Sequence, residues 1–183
     1  MTNRFAFIAG ETGTWRIRSI AALAGSGLPA ASALTCVPVD GASAPSPARG
    51  WRLDGLVSNV RYATRDEVVD LSARQEGLGR PQARLAALIP IAKSARWWGL
   101  AQDERRAIFE ETSHHTAVGL EYLPAIARKL FHARDIGEPF DFLTWFEFAP
   151  EHEAAFDDLL ARLRATAEWA YVEREVDIRL ERI

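Results

Sequence analysis

The chain has 183 residues, enough for one sizeable core or for two small fused repeats that share one. Nearly half its residues are apolar and about a quarter are charged, an ordinary globular balance. A net charge of -3 gives no electrostatic basis for nucleic acid or an anionic membrane, and Cys36, the single cysteine, rules out an internal disulfide.

In chain order, residues 5–8 read as a strand, followed by a polar turn and a second strand around Trp15. Residues 20–34 have the composition of a secretory h-region with a small-residue cleavage site. The strand and polar segment that precede them replace the expected basic start, so the stretch reads as part of the fold. Residues 40–50 (DGASAPSPARG) are a loop by composition. Residues 51–62 alternate loosely as one or two strands, and residues 65–74 suit a short helix. Residues 85–91 (LAALIPI) are a buried strand, and residues 102–113 a helix with Ile108 and Phe109 on its apolar side. Pro124 suits the first turn of a second helix running through Ile126 and Leu130 to about His132. Residues 140–148 (FDFLTWFEF) alternate most clearly as a strand. Pro150 then opens a helix with Phe156, Leu159, Leu160 and Leu163 at helical spacing, and residues 169–180 alternate again. Strands interleaved with helices indicate an α+β sheet with helices on one face. The run from residue 140 onward fits half of a ferredoxin-like unit.

The chain carries no P-loop, dinucleotide fingerprint, zinc spacing or nucleophile elbow. His114 and His115 are adjacent near the end of the 102–113 helix, and their side chains point roughly 100° apart, so one of them can face a given pocket. An imidazole facing an apolar cavity suits a haem iron, whereas two exposed histidines at a helix C-terminus would also be favourable. Trp97 and Trp98, with Lys93 four residues before Trp97, form either a cofactor wall or ordinary core. Arg128 needs an anion if it points inward, and Glu168 can orient a ligating imidazole.

The strings ALIPIAKSARWW, DERRAIFEETSHH, YLPAIARKLFHARDIGEPFDFLTWFEFAP and EWAYVEREVDIRL resemble the chlorite dismutase family, in particular its short, dimeric branch. The resemblance runs from about residue 51 to the C-terminus. It implies a ferredoxin-like, dimeric α+β barrel, a single domain over residues 1–183. Residues 1–50 are a reduced N-terminal repeat and residues 51–183 the haem-binding part. It further implies one haem b per subunit, chlorite as a small anionic substrate, chloride and molecular oxygen as products, and a homodimer. With no membrane span and no clear leader, the expected location is cytoplasmic.

The resemblance also assigns residues. The family's iron ligand precedes a tyrosine–leucine pair by seven positions. Tyr122 and Leu123 are that pair here, which selects His115. The family's distal arginine follows the ligand by thirteen, at Arg128. One unbroken helix would hold the two roughly 20 Å apart, so Gly119 and Pro124 are expected to turn the path. Glu168 matches the glutamate behind the ligand, and Gln75 a glutamine that pairs with the distal arginine. Thr144 and Phe146 match distal walls. Lys93, Trp97 and Trp98 match the haem edge and propionate side, and Tyr62 a propionate neighbour. The spacing from Trp98 to His115 exceeds that of the large pentameric members, which leaves the separate roles of the two tryptophans open. Arg128 speaks for chlorite chemistry over the related coproporphyrin-haem decarboxylases. A haem-binding barrel without enzymatic activity is the alternative of a different class.

Overall fold

The computed structural model describes residues 3–39, 47, 49–57 and 62–183. Eight strands build it: β1 (Arg4–Gly10), β2 (Trp15–Ala24), β3 (Ala33–Pro38), β4 (Trp51–Val57), β5 (Leu85–Lys93), β6 (Ala127–His132), β7 (Phe142–Phe148) and β8 (Val172–Arg182). They close into a barrel in the order β1-β3-β2-β8-β5-β7-β6-β4, with antiparallel pairing. Each half has the strand order of a ferredoxin-like unit: β4-β1-β3-β2, then β8-β5-β7-β6. The second half keeps its crossover helices. In the first, β1 turns into β2 within four residues. Residues 20–34 form the end of β2, a turn and the start of β3. Most of the composition-based loop at residues 40–50 lies outside the described residues.

The barrel is filled from both halves. Phe7, Trp15, Leu34 and Trp51 pack with Leu88, Phe131, Leu143, Trp145 and Ile178 in one buried cluster. Alternation along β5 sends Ala86 and Leu88 inward, while Ala87, Ile89 and Ile91 join a second cluster outside the barrel. Both faces of β5 are covered, which is why its sequence is a continuous apolar run. The outer cluster is roofed by α4 (His115–Glu121) and α5 (Glu153–Arg164), which supplies Phe156, Leu159, Leu160 and Leu163. α1 (Arg65–Arg74) starts at a capping box between Thr64 and Glu67, and α2 is the short Ala95–Trp98 turn.

Three expectations change. The helix expected over residues 102–113 is split into α3 (Gln102–Arg106) and a π-helical turn, Ala107–Thr112. His115 is not at the end of that helix. His114 adopts a left-handed conformation at φ 52°, and His115 opens α4. The helix expected from Pro124 to His132 is strand β6, with Arg128 paired to Phe146. Ile126 and Leu130, four apart, fit a helical stripe. The same residues fit alternation with Arg128 and His132, and pairing with β7 decides it.

Candidate functional site

A cavity of about 420 Å³ lies between the outer face of the C-terminal half-barrel and its helical cover. Cross-strand register sets its sheet wall in layers. Arg128 pairs with Phe146 and Phe146 with Ala87; next come Leu130, Thr144 and Ile89; then His132, Phe142 and Ile91. α4 contributes His115 and Gly119 to the opposite, helical wall, and α5 contributes Leu159, Leu160 and Leu163. Val68, Leu71 and Gln75, from α1 and its end, border the cavity as well.

His115 is held from several directions. Its Nδ1 lies 2.7 Å from Oε2 of Glu168. Glu168 is buried, and its other oxygen accepts from the Lys93 ammonium at 2.6 Å. Burial alone pushes the Glu168 carboxyl up. The charge and hydrogen bond of His115, with those of Lys93, outweigh that and draw it down to about 2. Glu168 is therefore a carboxylate that can only accept, so Nδ1 of His115 donates to it and Nε2 is the ring nitrogen turned away from that contact. The Phe109 ring stacks on the imidazole, with centroids 4.4 Å apart and planes 20° apart.

Arg128 brings the cation. Arg128 borders the cavity on the same face as Phe146, and burial lowers its affinity for the proton. Among the described residues no carboxylate pairs with it, whereas Arg4, Arg52, Arg106, Arg162, Arg164 and Arg179 each hold an acid. An inward guanidinium without an acid is a site for an incoming anion. Gln75 reaches this residue but donates to its backbone carbonyl, at 2.9 Å, rather than meeting its guanidinium.

Of the residues singled out from sequence, Tyr62, Gln75, Lys93, Trp97, His115, Arg128, Thr144, Phe146 and Glu168 all border this cavity. Trp98 does not. Successive side chains on the α2 turn diverge by about 100°. Trp97 is buried beside the cavity, its Nε1 without a partner among the described residues, and Trp98 donates to Asp141 at 3.0 Å with the guanidinium groups of Arg105 and Arg134 against its ring. Lys93, expected at the haem edge, has its ammonium committed to Glu168 behind the histidine.

Three further groups support the site without any mark in the sequence. Asp141 accepts the backbone N–H of Lys93 at 2.6 Å. Ser113 Oγ accepts the backbone N–H of Glu168 at 3.0 Å. Glu110, buried, accepts the N–H groups of Thr116 and Ala117. Nothing in the string FEETSHH separates Glu110 from the exposed Glu111, because the separation of six residues belongs to no regular helix period.

A profile of the family described as chlorite dismutase matches residues 49–182. A chlorite dismutase from Ideonella dechloratans is 31% identical over 121 residues, covering 65% of this chain and 40% of that protein. The chain thus spans less than half the length of that relative. A dimeric chlorite dismutase from Nitrobacter winogradskyi is 57% identical, with a TM-score of 0.90 over 98% of this chain and 99% of that one. The chlorite dismutase of Candidatus Nitrospira defluvii in complex with imidazole is 28% identical, with a TM-score of 0.60 over 73% of this chain and 55% of that one.

Proposed function

The chain belongs to the chlorite dismutase family, and we propose on that basis that it binds one haem b per subunit and converts chlorite to chloride and molecular oxygen. The observation that carries this reading is Arg128, an inward guanidinium without an acid, on the sheet wall of a cavity whose helical wall presents the Nε2 of His115.

The cavity fits a tetrapyrrole by its chemistry. Its walls are aliphatic and aromatic (Ile89, Ile91, Ile126, Phe146 and the α5 leucines), and one imidazole is fixed in the tautomer a metal needs. In this reading His115 Nε2 would hold the iron, and Tyr62 and Trp97, which border the same cavity, would face the porphyrin's carboxylates. Trp97 Nε1 is a buried donor with no acceptor among the described residues, and a carboxylate would satisfy it. Residues 51–183 carry all of these groups.

Bound haem would supply a redox-active iron. The residues do the rest. Glu168 holds the His115 ring and raises its basicity as a ligand. Arg128 would draw the chlorite anion in and hold oxychlorine anions within the cavity, so that an oxidant does not escape. Phe146 and Thr144 close the sheet side beside it and limit water. The overall change, chlorite to chloride and O2, balances in atoms and charge, so no external electron or proton donor is required of the site.

We read the functional form as a homodimer, supported by the dimeric Nitrobacter winogradskyi relative. Light scattering on the purified protein tests it. Absorption during haem titration tests the cofactor, and an oxygen electrode with added chlorite tests the reaction. The same electrode separates this reading from a haem-binding protein without the activity.

A further inference from the structure

We infer that Glu110 is a positioning residue for His115: delivered by the π-helical turn, it fixes the start of the ligand helix and offsets the positive field at the imidazole. The inference rests on the haem reading above and adds a residue to it.

The wide turn Ala107–Thr112 is closed by the N–H of Ser113 on the carbonyl of Ile108, five residues back. A single added residue rotates the downstream chain by roughly 100° relative to a regular α-helix. Three contacts on the histidine assembly come from this one irregular stretch. Phe109 stacks on the His115 ring. Ser113 receives the Glu168 backbone N–H. Glu110 turns under α4.

α4 has no ordinary cap. His114, at its N-cap, is left-handed and makes no side-chain capping bond. The free amides of the first turn go instead to Glu110. Oε2 accepts from Thr116 at 2.7 Å and Oε1 from Ala117 at 3.3 Å, and the residue is 9% exposed. These amides directly follow His115. If they were unserved, the first turn would fray and carry the imidazole off its axis. A second consequence is electrostatic. The first residue of a helix sits in the positive end of its dipole, which withdraws electron density from a ligand there. A carboxylate on the same amides cancels that field, in the same sense as Glu168.

The test compares Glu110→Gln, Glu110→Ala and the exposed control Glu111→Ala with the unaltered protein. It uses the His115 Nδ1–H resonance of the haem-free protein, the rate of haem transfer to apomyoglobin and the midpoint potential of the haem-loaded protein. Glu110→Ala should broaden or erase the Nδ1–H resonance and speed haem loss by about 10- to 100-fold. Glu110→Gln retains one acceptor and removes the charge. It should hold haem within a few-fold of the parent and shift the potential positive, a change that lost order alone does not produce. Glu111→Ala should leave all three readings unchanged. A folded Glu110→Ala with the parent resonance and off-rate, or a Glu110→Gln with the parent potential, overturns the inference. A parent protein that takes up no haem strikes the function proposed above instead, and the Nδ1–H resonance still decides the placement by Glu110.

Discussion

The Nδ1 of His115 lies 2.7 Å from Oε2 of Glu168, 53 positions away in sequence, and this contact joins the start of α4 to the turn before β8. The carboxylate holds the ring through Nδ1 and sets its plane, so one histidine of an adjacent pair borders the cavity. His114 turns out to solvent in the left-handed region.

His115→Ala should abolish the haem spectrum of the reconstituted protein, whereas His114→Ala should retain it. Absorption and resonance Raman spectra of the two variants check this. The reverse pattern would place the ligand one residue earlier.

Arg128→Ala should keep haem and lose about 100-fold or more of chlorite turnover, with more hypochlorite reaching solution. A hypochlorite trap in the assay reads the leak. Unaltered oxygen yield and unaltered durability would remove Arg128 from the reaction.

The ion pairs of Glu168 predict a pH dependence of the haem-free fold. A carboxyl held below its usual 4.5, at about 2, stabilises the native state above pH 4.5 and ceases to as the pH falls through about 2. The stabilisation lost across that window is about 3 kcal/mol. Denaturant unfolding at successive pH values should show this acid slope, and Glu168→Gln should flatten it. Equal slopes in both proteins would contradict the assignment.

Gly55 tests the barrel packing. A Cβ at this position would lie 2.6 Å from the Cβ of the buried Phe131. Gly55→Ala should cost roughly 1–3 kcal/mol by overpacking, measured by denaturant midpoint. A neutral result would mean that β4 and β6 have room to separate.

Much of this architecture is legible in the sequence where both local and long-range forces agree. Residues 140–148 alternate because β7 has a barrel face and a cavity face, and the leucines after Pro150 recur at helical spacing because α5 covers that sheet. The failures lie around the site. Residues 124–132 fit two periods, and the choice of strand is made by β7, a partner downstream in the chain. The π-helical turn is invisible because no residue pattern marks an inserted position, yet it places Phe109, Glu110 and Ser113. The closing of the first half onto the second depends on β2–β8 and β4–β6 pairing, which no local pattern encodes. Identity of the site residues came with the family resemblance. The structure adds which partner each one holds, above all Lys93 on Glu168 and Gln75 on the Arg128 carbonyl.

Oxygen evolution on adding chlorite to the haem-loaded protein is the decisive test of the proposed reaction. One O2 should be released per chlorite consumed, with chloride as the accompanying product. A haem-loaded protein with the His115-ligated spectrum that consumes no chlorite, or consumes it without releasing O2, would contradict the assignment of chlorite chemistry to this site.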